Sequence, residues 1–407
     1  MESRNKEITL IENDITNDTG AEETSAPVQQ DEKKENIFKR IKASGFFTKP
    51  FKLLLYVFAA SLTVYLLSRF SPAFAELWTI YPAQLIRFIL AKLTGWIPFS
   101  FAECLIVSLP ILAIAYIVVS TVSTKRDESM DNFFKWLRPL ISVILVIVIL
   151  FFIGFGPAYG RYKLSKNLDI EQSAVSADEL FTTASIVSDE LRGITDLVSF
   201  DLSGASIMPY DYQTLVKKMN ESFDKYAEDA DYISHFRSSP KAIALSGIMT
   251  YTHISGVYTF MTGESNINTN YPDFLIPYTM AHEMAHQRGI AREDEANFVA
   301  FLVCIASDDD YIRYCGYANM LNYLNSALAK ADSALYKELL YKVVPHELLY
   351  EFVAYSAFFD KYRDSTASEV TGAVNDTFLQ SQGQQAGTKS YGLVVDLAVA
   401  YYKAQGE

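Results

Sequence analysis

Hydrophobic positions divide the chain into an apolar first part and an amphipathic second part. Three runs in the first part, Leu53–Leu67, Ala102–Val122 and Pro139–Phe155, carry almost no charge. A helix crosses the hydrocarbon of a bilayer in about 20 residues, and each run reaches that length once its flanks are included. We therefore predict transmembrane helices at about 51–70, 101–122 and 138–156.

A fourth apolar stretch, Leu85–Leu93, lies between the first two runs and carries Arg87 and Lys92. Tryptophans flank it at positions 78 and 96, as is typical of segments at the membrane surface, and we predict an interfacial or re-entrant helix at about 80–94. A signal peptide cleaved near Ala73–Ala75 is the alternative for the first run. The polar stretch before that run is too long for an ordinary signal peptide.

From residue 161 onward, apolar residues recur three and four positions apart, which predicts amphipathic helices. The clearest helical segments are Ala177–Leu197, Tyr210–Ala230, Leu328–Val344 and Tyr391–Ala404. Gly247–Thr262 is rich in β-branched and aromatic residues and predicts a short sheet that ends in a turn at Thr262–Asn266. The predicted fold is mainly α with a small β-sheet, and three transmembrane helices precede an α+β domain.

Three regions follow from this pattern: a disordered cytoplasmic tail with a basic flank at 1–48, a membrane section at 49–160 and a domain at 161–407. The net charge of -13 excludes nucleic acid as the main partner, because no basic surplus is present to meet phosphates. The lipid bilayer is the partner that the composition favours. Cys304 and Cys315 are either buried thiols or, in an exported domain, a pair.

The second part contains a motif with recognisable chemistry, His282-Glu283-Met284-Ala285-His286. Histidines four residues apart share one face of a helix, so both imidazoles can bind one metal ion, and Glu283 can act as a general base beside it. Pro277 suits the first turn of such a helix, and Gly289 suits a left-handed cap at its end. The motif predicts a zinc site, and a catalytic zinc site needs a third protein ligand.

The nearest carboxylates that can provide the third ligand lie in the acidic segment that begins at Glu293. It opens a second predicted helix, which extends to about Ser307. Glu293 and Glu295 lie on different stripes of this helix, and both stripes are apolar further along, so periodicity alone leaves the choice between them open.

The spacing of Glu293 and Asn297 after the histidine motif resembles that of the gluzincin metallopeptidases. This resemblance implies that His282, His286 and Glu293 bind Zn²⁺ and that Asn297 supports a ligand histidine from behind. The sequence does not favour a metzincin site, because Arg292 occupies the position of the third histidine in those enzymes.

A wider set of residues resembles the bacterial family called domain of unknown function 3810. These residues are Thr262–Asn266, the run from Pro272 to Phe298, Val374–Asp376 and Lys389–Gly392. Membership implies a membrane-bound zinc peptidase with a gluzincin-like domain and brings no established substrate.

A peptidase of this kind also needs a donor for the oxyanion, and Tyr391, His253 and His346 are the candidates. The leading hypothesis is a membrane-anchored zinc peptidase that hydrolyses peptide or protein substrates through a zinc-bound water activated by Glu283. A membrane sensor that keeps the scaffold without hydrolysis is the alternative from another class. A third possibility is a membrane assembly factor in which the histidine motif is accidental.

The distribution of basic residues predicts the orientation in a bacterial cytoplasmic membrane. Seven basic residues precede the first run between Lys33 and Lys52, and four lie between the second and third runs. Both groups favour a cytoplasmic N-terminus, and three spans then place the domain outside the cytoplasm. Arg161, Lys163 and Lys166 after the third run oppose this orientation.

Overall fold

The computed structural model describes residues 45–127, 130–363, 365–386 and 393–406. Most of the predicted N-terminal tail therefore lies outside the described residues. The membrane section, residues 49–160, contains α1 (Lys49–Phe70), α2 (Pro72–Ile80), α3 (Pro82–Gly95), α4 (Phe101–Asp127) and α5 (Met130–Leu150). The helix α5 continues through a π-helical turn at Phe151–Phe155 and a 3-10 turn at Gly156–Gly160.

Three of these helices are long and apolar enough to cross a membrane: Lys49–Phe70, Phe101–Arg126 and Asn132–Gly160, with 22, 26 and 29 residues. The prediction of three such helices is confirmed, and together they indicate a membrane protein. The second and third helices extend beyond the apolar runs. Helical hydrogen bonding does not stop where the apolar residues end, so hydropathy alone set these boundaries too narrowly.

The helical domain, residues 161–406, begins with α6 (Leu164–Asn167), α7 (Ala177–Thr195), α8 (Tyr212–Ala227) and α9 (Ser246–Met249). Its later helices are α10 (Leu275–Gln287), α11 (Glu293–Ile305), α12 (Asp310–Ala331), α13 (Ser333–Lys342), α14 (His346–Asp360), α15 (Thr366–Ser381) and α16 (Val394–Ala404). The predicted mainly helical fold is confirmed. The predicted single helix at Leu328–Val344 is wrong: Asp332 ends α12 and caps α13 by accepting hydrogen bonds from Ala334 N and Leu335 N.

A three-stranded sheet of β1 (Lys241–Ala242), β2 (Gly256–Thr259) and β3 (Glu264–Ile267) has the order β1-β3-β2. β3 is parallel to β1 and antiparallel to β2, where Tyr258 pairs with Ser265. The predicted small sheet is confirmed, although the segment Gly247–Thr252 is helical rather than extended. β2 lies at an edge of the described sheet.

The core of the helical domain surrounds α11, whose Phe298 and Phe301 are fully buried. The helix is apolar on all sides because α8, α10, α12 and α16 pack around it. Cys304 and Cys315 are fully buried and are free thiols, in agreement with the first of the two interpretations.

The helical domain rests directly on the membrane section. The Glu264 carboxylate of β3 accepts hydrogen bonds from the backbone N–H groups of Phe101 (3.0 Å) and Ala102 (2.8 Å), at the first turn of α4. Ser100 donates to Asn266 Oδ1 over 2.6 Å. The Glu264 carboxylate thus gives the free N–H groups at the start of α4 an anionic acceptor. These contacts attach the second span to the sheet.

The segment predicted as an interfacial helix forms α3, which has two different faces. Ala83, Arg87 and Ala91 are buried, whereas Leu85 and Leu93 on the opposite face are exposed. Arg87 is only 1% exposed and donates to Gly154 O, Thr79 O and Ser234 Oγ. The cation in this apolar stretch therefore serves internal packing rather than reaching the membrane surface.

Candidate metal site

The histidine motif lies on α10, a helix buried on every side. Leu275 opens it, and Pro277 occupies the first turn, as predicted. After Gln287 the chain turns at Gly289, whose φ is 96°. Ile290 N donates to Ala285 O over 3.1 Å and Gly289 N to His286 O over 3.0 Å, which is the Schellman pattern of helix ends. The predicted left-handed cap at Gly289 is confirmed.

This cap returns the chain to α10 after five residues, so α11 begins beside the two histidines. Glu293 Oε2 lies 3.2 Å from His282 Nε2 and 3.4 Å from His286 Nε2. Ligand atoms of the three side chains all lie within 4.8 Å of one another, and all three residues are buried. We call His282, His286 and Glu293 the acceptor cluster.

Glu295, the other acidic residue that the sequence left open, points away from the acceptor cluster. Its Oε1 accepts from Leu164 N (2.9 Å) and from Arg292 Nη1 (2.8 Å). A carboxylate that already holds a buried N–H and a guanidinium has its charge compensated. Of the two glutamates, Glu293 is the one that faces the histidines.

Hydrogen bonds behind the cluster fix one imidazole and leave the other without a partner. His286 Nδ1 lies 2.7 Å from Ile290 O, so Nδ1 carries the proton and Nε2 offers its lone pair to the cluster. Among the described residues, His282 Nδ1 and Asn297 Nδ2 have no hydrogen-bond partner. The support of a ligand histidine by Asn297 therefore stays a prediction.

Burial and mutual charge shape the protonation of the acceptor cluster. Burial by itself lowers the pKa of His286, but the Glu293 carboxylate outweighs it and raises the pKa to about 9. Burial likewise raises the pKa of Glu293, and the histidines overcome this effect and hold it well below its ordinary value. The arrangement therefore favours a positive charge between the three side chains, which a proton or a metal cation supplies.

Glu283 lies beside the acceptor cluster, against β2. A Cβ added at Gly256 would lie 2.7 Å from Glu283 Cγ and Oε1, so only a glycine lets the strand run this close. Ser265 Oγ on β3 donates to Glu283 O over 3.0 Å and holds the helix against the sheet. Burial raises the pKa of Glu283, an effect that His282 and His286 oppose. A carboxylate with a raised pKa is suited to accept and return a proton.

A protein-family model described as "Protein of unknown function (DUF3810)" matches residues 79–399. The chain belongs to this family. The resemblance drawn from the sequence is thereby confirmed. No curated protein and no solved structure matches the chain. The DUF3810 match starts at the end of α2 and includes the second and third spans, the sheet and the whole acceptor cluster.

The DUF3810 match also includes the candidates for the oxyanion donor. Tyr391 lies outside the described residues, so its role stays a prediction. His253 Nε2 lies 2.8 Å from Tyr362 O, and His346 starts α14 on the surface. The structure places neither histidine in the acceptor cluster.

Two residues beside the acceptor cluster come from the third span and were not predicted. The ring of Phe155 meets that of His286 edge-on, with 6.1 Å between centroids, and the ring of Tyr159 in turn contacts that of Phe155 at 5.7 Å. The signal available in the sequence was the aromatic end of the third apolar run, Phe151–Tyr159, which ordinary spans also show at the membrane surface.

Proposed function

We propose that this protein is a membrane-anchored metallopeptidase whose acceptor cluster binds Zn²⁺. The observation that carries the proposal is the convergence of two imidazoles and one carboxylate in a buried place. Glu293 Oε2 has no aligned hydrogen bond, although two imidazole nitrogens lie within 3.4 Å. Buried acceptors without donors are rare in folded proteins unless a cation completes them.

The spacing of the cluster fits zinc. Tetrahedral zinc with bonds of about 2.0–2.1 Å keeps two ligand atoms about 3.3 Å apart. The two separations at Glu293 Oε2 are 3.2 and 3.4 Å. Two imidazoles and one carboxylate are also a donor set that zinc peptidases use.

Bound zinc supplies a Lewis acid that acidifies water and polarises a carbonyl group. Glu283 then acts on the proton: its carboxylate takes one proton from the attacking water, whose oxygen joins the carbonyl carbon. The same proton passes to the nitrogen as the C–N bond breaks, so one peptide and one water give an acid and an amine. The contact of Gly256 with Glu283 holds the carboxylate in place for both transfers.

The test combines metal analysis with hydrolysis by the full-length protein in lipid nanodiscs. We expect about one zinc per chain, as for a single three-ligand site. Glu283→Gln retains the metal and lowers peptide hydrolysis by about 10²–10⁴-fold, because the amide cannot accept the proton. Glu347→Gln is the matched control, since Glu347 belongs to a second His-Glu pair on the surface. Full activity of Glu283→Gln would refute the proposed mechanism, and zinc binding without any hydrolysis would favour the sensor.

We also propose a cytoplasmic N-terminus and a helical domain outside the cytoplasm of a bacterium. Packing of α1 on α5 supports three spans, because the rings of Tyr65 and Phe152 stack at 4.6 Å. Arg161 opposed this orientation by its position, but its guanidinium is buried against Glu76 and two carbonyl groups. A reporter fused after Lys163 that fluoresces only when folded in the cytoplasm should stay dark, and a bright fusion would refute the orientation.

A further inference from the structure

We infer, on the basis of the proposed peptidase function, that the substrates are polypeptides anchored in the same membrane. The cut would fall about four or five residues from the membrane-embedded part of the substrate, because residues 256–260 lead from Glu283 to Phe151 in the third span. Four observations support this inference: the attachment of the acceptor cluster to the spans, the contacts of the helical domain with all three spans, an apolar outer surface, and the course of β2.

The acceptor cluster is in contact with the end of the third span. Phe155, in the π-helical turn that continues α5, meets the His286 ring directly. Arg161, one residue beyond that span, donates to Gly289 O over 2.8 Å at the cap of α10. No linker separates the third span from the metal site.

The helical domain is in contact with all three spans. Glu264 binds the first turn of α4, as described above. The first span meets the domain at Arg69, whose Nη1 donates to Gln382 O over 2.6 Å, and the third span meets it where the Phe155 ring contacts that of His286.

An apolar outer surface lies where the helical domain meets the membrane section, partly on α3 and partly on α15. Trp96 is 80% exposed at the end of α3, and Leu85, Ile89 and Leu93 precede it on the outward face. On α15, Val370, Val374 and Phe378 form a second exposed stripe. Phe378 contacts the rings of Phe151 and Tyr159 in the third span, so this stripe is continuous with the membrane section. Apolar faces next to spans are covered by lipid at the bilayer surface.

The edge strand β2 connects the catalytic carboxylate with the membrane. Its first residue, Gly256, touches Glu283. Tyr258 then contacts Phe155 with ring centroids 5.3 Å apart, and Phe260 contacts Phe151 at 5.4 Å. The four residues of β2 and the residue after it, Phe260, thus lead from Glu283 to the third span. A peptide paired along this edge would lead from the cut site to the lipid.

The first experiment uses a randomised peptide of about eight residues attached to a helix of about 20 apolar residues in proteoliposomes with the full-length protein. Spacers of about 2, 5, 10 and 20 residues separate the two parts, and the same peptide without the helix is the reference. Mass spectrometry locates each cut and fluorescence measures its rate.

We expect the anchored peptides to be cut about a hundredfold faster than the free peptide, because anchoring raises the effective concentration. Cuts should cluster about five residues from the anchor. The spacer of about 20 residues should lower the rate by about eightfold relative to the spacer of about 5 residues. Equal rates for anchored and free peptides would overturn this inference and leave the peptidase function intact. Absence of hydrolysis of both forms by the zinc-loaded protein would overturn the peptidase function as well.

A second experiment tests, without any substrate, whether the exposed face of α3 is covered by lipid. Leu93 and Leu197 are 60% and 64% exposed, so Leu93→Cys and Leu197→Cys form a matched pair in a chain whose exposed Cys104 is replaced by Ser. Spin labels at the two positions should differ: oxygen dissolved in lipid relaxes the label at 93, and an aqueous nickel complex relaxes the label at 197. Equal relaxation by the nickel complex would show that the bilayer does not reach α3 and would overturn the inference.

Discussion

Two buried polar clusters lie on either side of the cap of α10, and they differ in composition. The acceptor cluster consists of His282, His286 and Glu293. The other, which we call the donor cluster, consists of Arg87 and Arg161. Each arginine of the donor cluster reaches three oxygen-bearing partners, which include Thr79 O for Arg87 and Gly289 O for Arg161. Arg161 is paired with the Glu76 carboxylate, whereas Arg87 donates to neutral oxygens and its Nε has no partner among the described residues.

The acceptor cluster contains no arginine or lysine, and the nitrogens nearest to Glu293 Oε2 are those of two imidazoles, at 3.2 and 3.4 Å. Its convergent atoms are acceptors, and Glu293 Oε2 has no aligned donor among the described residues. A buried charge with hydrogen-bonded partners acts as a structural brace, whereas a buried group of acceptors needs a cation from outside. The comparison separates a candidate ligand site from a structural contact even though both contain charged residues at similar burial.

The largest effect is expected for changes that remove an acceptor. His282→Ala and Glu293→Gln should each lower zinc affinity by more than about a hundredfold, beyond the range for residues that only support a ligand. Elemental analysis and competition with a zinc chelator measure this change. His346→Ala, at an exposed histidine outside the cluster, is the control and should keep its metal. Undiminished zinc in His282→Ala would show that the acceptor cluster is not the metal site.

The two clusters also differ in how far the sequence predicted them. The residues of the acceptor cluster lie in one short segment: His286 is four positions after His282, and Glu293 is seven positions after His286. Residues four positions apart share one face of a helix, so the sequence predicts that the two histidines are close together. Periodicity left the choice between Glu293 and Glu295 open, and the resemblance to the gluzincins favoured Glu293. The tertiary structure supplies the physical reason: Leu164 N, 131 residues away in sequence, holds Glu295.

The donor cluster could not be predicted from spacing. Arg87 bonds to Gly154 O, 67 residues away, and a backbone carbonyl leaves no signature in the sequence. The same limit explains the missed helix break at Asp332, where one polar residue interrupts a continuous apolar period. Length and hydropathy were sufficient for the three spans, because hydrocarbon thickness sets a minimum that core helices such as α11 do not reach.

The second largest effect is expected in the donor cluster, on stability rather than on metal. Arg161→Met leaves Glu76 without its buried partner and should lower the free energy of unfolding by about 3–5 kcal/mol. Denaturation in mixed micelles measures it. Arg192→Met is the control, because Arg192 and Asp189 form an exposed pair, for which about 0–1 kcal/mol is expected. Equal losses for the two variants would contradict the role of Arg161 as a brace.

A smaller effect is expected at Glu295, which supports the start of α6 and the side chain of Arg292. Glu295→Gln should cost about 1.5–3 kcal/mol of stability, since it weakens two buried hydrogen bonds to a charged acceptor. Zinc affinity should stay within a few-fold of the unchanged protein, in contrast to Glu293→Gln. Metal titration of both variants decides the matter: zinc lost from Glu295→Gln and kept by Glu293→Gln would exchange their assignments.

The smallest effect is expected at Gly289, the residue that joins the two clusters. Its φ of 96° is unfavourable for alanine, and an added Cβ would lie 2.8 Å from Arg87 Nη2 and 2.9 Å from Thr79 Cγ2. Gly289→Ala should therefore cost about 1–2 kcal/mol of stability. It should also weaken zinc binding by up to about tenfold, because a displaced Ile290 carbonyl no longer orients His286.

Gly193→Ala is the matched control: Gly193 lies inside α7 with nothing within 4 Å, and alanine there should stabilise the helix by about 0.5–1 kcal/mol. Loss of stability in Gly289→Ala without any change in zinc affinity would show that the donor cluster and the acceptor cluster act independently.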